Sequence, residues 1–372
     1  MKLIVKTGAL IRTLNEAIDA IPSASPDPSY RNFLFTVTTN ELNVLASDGN
    51  VTLKTTLPAK EGETVNILEA EPGQVQISAH FLVDIVRKLE GDTVTLQTAD
   101  TSLLTLSDNR TFYKVNTLDA ADYPDVDIRM DESTAVSVPH ADFVKLFNAT
   151  AFAAATKSTK ICYTGIKIFT RNDHLIFRAT DVRRMAQYSV PMSGVTDLDF
   201  IVAVKVLGLV ARREDVKDVE FQQDGSKAIF KVGSTLIQSR LFNGEFPDLD
   251  RVTPKETPYV LTVNTNEFLD ALDRVTTVTQ GAAAPVVTLR CSQDLCELVA
   301  NSSIYGDAKE TLSDFTFTGD IFNISFTPKY VSEAIKAQGT DKVTLAFAGT
   351  AKLFLIKSDD PANIQIVTPI RS

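Results

Sequence analysis

The chain is poor in the side chains that most often hold metals or attack substrates: 372 residues contain three cysteines and three histidines. The cysteines are Cys162, Cys291 and Cys296. An odd, sparse set points to reduced, buried thiols and away from a disulfide framework. Cys291 and Cys296 are spaced to pair across a hairpin, but two ordinary strand residues is the simpler reading. His80 and His140 sit near expected helix starts and His174 in a turn, without metal-ligand spacing, so capping or surface roles are expected and no metal. There is no GxxxxGK or GxGxxG loop to cradle a phosphate, and no cofactor motif. No apolar run approaches the ~18 residues of a membrane span. Leu3 to Val5 is too short for a signal-peptide core, so a cytoplasmic location without membrane attachment is expected. Basic residues are not in excess: the net charge is −10, which argues against a generally basic nucleic-acid binder. Acidic pairs such as Asp359-Asp360 and Asp122/Asp125 fall in turns, where Asp serves the backbone. No nucleophile–base constellation stands out, which disfavours a hydrolase and any other enzyme.

What the chain does have is an apolar content of 44% with 23% charged residues, enough for two to three packed domains. It also repeats itself. Leu175 to Pro191 alternates apolar and polar residues, turns at Asp181, and reads as a hairpin. Leu42 to Pro58 matches it without a gap, pairing Val44 with Phe177, Ala46 with Ala179 and Asp48 with Asp181. A worn third copy begins at Cys296, where Ala300, Asn301 and Ser302 follow Ala179, Thr180 and Asp181. Such recurrence at long period is the signature of a repeated structural unit.

Helical stripes recur alongside the hairpins. Ala9 to Ala20 places Leu10, Leu14, Ala17 and Ile18 on one face; Phe143, Phe147 and Ala151 and then Phe268, Leu272 and Val275 repeat it. A second helix is expected over Ala79 to Leu89, with counterparts at Val204 to Arg213 and Lys329 to Ala337. Each leads into a strand. Asp122-Tyr123-Pro124-Asp125 is answered by Glu245-Phe246-Pro247-Asp248. The chain is therefore expected to be an α+β triplication: three similar β-rich domains, each with two short helices, at 1–127, 128–252 and 253–372. Short strands and hairpins imply antiparallel sheets with helices on one face. The six helices carry nearly balanced charge, so the acidic excess lies elsewhere. Mixed charge is usual for solvated helix faces, yet a less acidic helical surface also suits a polyanion.

Taken together, the threefold repeat, the start MKLIVKTGALIRTLNEAI, the segments ATDVRRMA and NGEFPDLDRVTP and the ending VTPIRS resemble the bacterial sliding clamp family, the beta subunit of the replicative DNA polymerase, across essentially the whole chain. The resemblance implies a non-enzymatic processivity factor: a head-to-tail homodimeric ring whose helices line a central hole for duplex DNA. A clamp loader opens it, using ATP the clamp does not bind, and the ring tethers the polymerase catalytic subunit and other proteins through a peptide-binding groove. It places that groove at Tyr163, Thr180, Val182, Arg183, Arg184, Met185, Pro247, Arg251, Val252, Ile366, Thr368, Pro369, Ile370 and Arg371. It implies ring closure through Arg110, Tyr113 and Val115 against Thr277, Val278, Tyr305, Asp307 and Glu310. For the DNA-facing surface the candidates are Lys157, Lys160, Lys205, Arg212 and Arg213. Retention by topology lets an acidic protein hold DNA with weak, spread contacts.

This sequence departs from the family pattern at several points. Val182 and Arg183 stand where Gly-His is common, Thr368 where Met often precedes the proline, Ser372 where Leu often ends the chain. Ser23-Ala24-Ser25 replaces an expected basic loop. The alternative function is an interaction scaffold of the same fold without DNA tethering.

Overall fold

The computed structural model describes residues 1–372 except Thr101, Ser193, Val195, Thr196, Asp215 and Ser372. Ser372, in the C-terminal motif, thus lies outside the described residues. All six expected helices form. They are Thr7–Ala17, Ala79–Val86, His140–Thr150, Val204–Ala211, Thr265–Thr276 and Pro328–Lys336, two in each repeat. A further short helix, Leu249–Val252, has no counterpart among the expected elements. The helices are short because each needs only enough turns to cover a sheet with one apolar stripe. Thr265–Thr276 shows the pattern, burying Phe268, Ala271, Leu272 and Val275. Each large side chain so buried contributes roughly 1.5–3 kcal/mol. Asn264 caps this helix by accepting from Glu267 N at 3.1 Å. In His140–Thr150 the inward residues are Phe143 and Leu146, while Phe147 of the expected stripe is half-buried.

Backbone contacts group the chain into two units: Met1–Ala141 with Lys205–Leu241, and Asp142–Val204 with Phe242–Ser372. The middle repeat is shared between them, because its strands complete its neighbours' sheets. In the first unit a 13-stranded antiparallel sheet includes Thr235–Arg240 paired to Val51–Pro58. In the second, a nine-stranded sheet includes Arg184–Pro191 paired to Asn363–Val367, and a four-stranded sheet holds Gly306–Thr311 at one end.

The three hairpins are present. Glu41–Ser47 pairs with Val51–Pro58, His174–Thr180 with Arg184–Pro191, and Cys296–Ser302 with Gly306–Thr311. The strand His174–Thr180 does not alternate as expected: Leu175 through Thr180 are all buried, since both of its faces are covered. Among the described residues no helix is long and apolar enough to cross a membrane.

Candidate functional site

The second hairpin turns by a bonding scheme that the first one shares. Asp181 Oδ1 accepts from Arg183 N (2.9 Å) and Arg184 N (3.0 Å), as Asp48 Oδ1 accepts from Asn50 N (2.8 Å) and Val51 N (2.8 Å). Thr180 Oγ1 donates to Arg184 O at 2.6 Å and accepts from Val182 N at 3.0 Å. Ser47 Oγ does the same with Val51 O and Gly49 N. These are Asx and hydroxyl turns, which the Asp and Ser/Thr positions of the sequence encode. In the worn third copy Ser302 Oγ takes the Asp role, accepting from Ile304 N and Tyr305 N at 3.3 Å.

The C-terminal tail docks on this turn. Thr368 donates to Arg183 O through its N (2.9 Å) and its Oγ1 (2.8 Å), and Ile370 N donates to Ser325 O at 2.7 Å. The strand before it sets Ile366 opposite Met185, and both join Ala346 and Leu355 in a small buried apolar cluster. A second wall forms around Pro247. Its carbonyl accepts from Arg178 Nη1 at 3.3 Å, and Arg178 Nε and Nη2 are held by Gln187 Oε1 at 2.9 and 2.6 Å. The neighbouring Phe246 ring meets Tyr163 edge to face at 6.0 Å. Arg251 and Val252 stand exposed on the short helix, with Arg251 3.6 Å from Asp248. Thr180, the Val182–Met185 segment, Ile366 and Thr368 are thus brought together by the hairpin and tail, and Tyr163 and Pro247 by the Tyr163–Phe246 and Arg178 contacts. Pro369 and Ile370 are half-buried along the tail, and Arg371 is exposed.

Arg184 does not present a free guanidinium. It is 8% exposed, pairs with Asp181 at 3.1 Å and with Glu333, and lies between the rings of Phe152 (5.3 Å) and Tyr330 (4.7 Å). Its work is to fasten the turn to the helix Pro328–Lys336. Sequence reasoning missed Arg178, Gln187, Phe152, Tyr330 and Glu333. One signal was available: pairing Thr180 with Met185 forces Arg178 opposite Gln187.

Of the candidate DNA-facing cations, Lys157, Lys160 and Lys205 are exposed, with Lys160 5.8 Å from the Tyr163 ring centre. Arg212 pairs with Asp19. Arg213 is half-buried and donates through Nη2 to Glu16 O at 3.0 Å. Burial lowers its pKa, while the Glu16 and Asp19 carboxylates pull it back up.

Among the described residues, both segments expected to close a ring include open strand edges. Residues 112–116 of Phe112–Leu118, which include Tyr113 and Val115, pair among the described residues on one side only, with Leu103–Ser107. Val115 points inward, Phe112 is 62% exposed, and Arg110 is 3.2 Å from Glu90. In the second unit Gly306–Thr311, with Asp307 and Glu310, ends the four-stranded sheet. Tyr305 beside it is 64% exposed, Glu310 is held by Arg274 at 2.7 Å, Thr277 is exposed, and Val278 packs on the core. Two of the three histidines lie beside backbone carbonyls: His140 Nε2 is 3.3 Å from Val210 O and His174 Nδ1 2.7 Å from Asn172 O.

The family patterns for the N-terminal, central and C-terminal domains of the DNA polymerase III beta subunit match residues 1–127, 137–248 and 250–371. The chain is 25% identical to a beta sliding clamp of Bacillus subtilis and 28% identical to one of Staphylococcus aureus, each over the full length of both chains. Its fold superposes on the crystal structure of the Bacillus subtilis DNA polymerase sliding clamp with a TM-score of 0.96 at 25% identity, covering 100% of this chain and 99% of that one. A Pseudomonas aeruginosa sliding clamp bound to griselimycin superposes with a TM-score of 0.91 at 22% identity, covering 100% of both. Three β-rich domains, each with two short helices, matched in order along their whole length, place this chain in the bacterial DNA polymerase III beta subunit family, the beta sliding clamps.

Proposed function

We infer that this chain acts as a DNA polymerase processivity clamp: two copies close head to tail into a ring around duplex DNA. The observation that carries the reading is that both segments expected to close the ring include open strand edges. Residues 112–116 offer unpaired backbone in one unit and Gly306–Thr311 offers it in the other. An open edge is a template for another strand, and a heterologous contact that closes after two copies makes a ring. The ring tethers DNA by enclosure, so exposed lysines such as Lys157, Lys160 and Lys205 need only weak, sequence-independent contact. The acidic remainder discourages DNA from wrapping outside.

The clamp is an accessory subunit that works by holding, not by catalysis, in the cytoplasm where the chromosome is copied. Its loader and its polymerase engage the Thr180–Met185 turn and the Thr368–Arg371 tail through short peptides with apolar anchors. The small apolar cluster of Met185, Ala346, Leu355 and Ile366 supports this use, since buried anchors supply most of the energy of a bound peptide. That a Pseudomonas aeruginosa clamp is known bound to griselimycin agrees with a ligand-accepting surface on this fold.

The first copy of the hairpin tests the assignment from within. Where the second has Met185 opposite Ile366, the first has Thr52 opposite Gln238, both buried. Of these two floors, the second is the one that matches an apolar anchor. Native mass spectrometry is the direct test of the ring. A dimer at micromolar concentration is expected; a strict monomer, or a dimer untouched by Tyr113→Pro in the open edge, contradicts it.

A further inference from the structure

The four-stranded sheet holds a pair of thiols that neither the groove nor the open edges use. Its strands Val287–Cys291 and Cys296–Ser302 meet in a tight turn where Ser292 N donates to Leu295 O at 2.7 Å. Residues 292 and 295 are therefore a hydrogen-bonded pair, and the next pair inward, Cys291 opposite Cys296, is the closely spaced, non-hydrogen-bonded kind. Cα atoms in such a pair lie about 4.5 Å apart, within disulfide reach. The two sulfurs are 2.8 Å apart and both thiols are free. They are dry, at 3% and 0% exposure, yet the turn beside them is at the surface, with Leu295 45% exposed. Local fraying of one turn opens them, and turns at sheet ends open at low free energy.

We propose that Cys291 and Cys296 are a modification site, a thiol pair that a low-molecular-weight disulfide converts to an intrachain disulfide. One cysteine, as thiolate, attacks the small disulfide, forms a mixed disulfide and releases one small thiol. The second cysteine then attacks the protein sulfur of that mixed disulfide and releases the other small thiol. The protein pair gives up two electrons and two protons, and the reagent takes up both. The thiol of Cys296 and burial together raise the Cys291 pKa, so the first step quickens as pH rises. The bond fastens the strand Cys296–Ser302, on which the open edge strand Gly306–Thr311 is paired.

The test incubates the full-length native protein with oxidised glutathione at mildly alkaline pH, then denatures, alkylates and weighs it. Two of the three thiols become resistant to alkylation, an unalkylated sample weighs two hydrogens less with no retained glutathione, and dithiothreitol reverses both. A Cys162→Ser variant still loses two thiols, whereas Cys291→Ser loses none to an intrachain bond. Three alkylatable thiols after treatment, or a disulfide formed only in urea, overturns the proposal.

Discussion

Gly49 and Val182 occupy the same position of the same turn, with φ of +86° and +77°. The turn demands the left-handed region, where glycine is at ease and a β-branched residue is strained by about 1–3 kcal/mol. Val182 is also 65% exposed, so packing does not offset that strain. Val182→Gly should stabilise the protein by about 1 kcal/mol, and Gly49→Val should destabilise it by about 1–3 kcal/mol. Urea denaturation of both variants checks this; a destabilised Val182→Gly protein would show that the side chain packs in a way the exposure denies.

Arg184 joins the turn to the helix Pro328–Lys336 through Glu333. Removing one partner of an enclosed ion pair leaves the other desolvated. Glu333 is 31% exposed, so screening reduces the loss, and Arg184→Met should cost roughly 2–3 kcal/mol. A double-mutant cycle with Glu333→Gln should return a coupling near 1 kcal/mol. Additive losses would mean the pair is not coupled.

Glu267 accepts from Ser313 N at 2.6 Å and from Ser313 Oγ at 2.7 Å, and these bonds lower its pKa from the ordinary 4.5. A carboxylate with a lowered folded pKa contributes stability above its unfolded pKa and loses it as pH falls through the folded one. The contribution is full at neutral pH and disappears below pH 4.5. Glu267→Gln should therefore lower Tm at pH 7 and change it little at pH 3. Equal shifts at both would remove the charge from the explanation.

Calorimetric titration with a short peptide carrying apolar anchors should saturate at one peptide per chain. Met185→Thr, which copies the first hairpin's residue, should weaken binding about tenfold, near 1.4 kcal/mol. Two peptides per chain, or undiminished affinity in the variant, contradicts the placing of the anchor.

Much of this was legible in the residues because it depends on local chemistry. Asp48 and Asp181 announce their turns by side-chain bonding to the next backbone N–H groups, and the stripe Phe268, Leu272, Val275 announces its helix. The alternation of Leu175 to Ala179 misled, because a strand covered on both faces has no polar side to reveal it. Arg184 read as a ligand-facing group because nothing local in the sequence shows that Glu333 and Tyr330 enclose it. Arg212 and Arg213 remain candidate DNA contacts, and their partners Asp19 and Glu16 lie too far away in the chain to be read from the local sequence.

The enclosure of DNA is tested most directly by loading the protein with its clamp loader onto nicked circular duplex DNA, then cutting the circle once. Retention on the circle through high-salt filtration is expected, with loss within minutes of linearisation as the ring slides off the ends. Equal loss from circular and linear DNA, or retention on both, would contradict it.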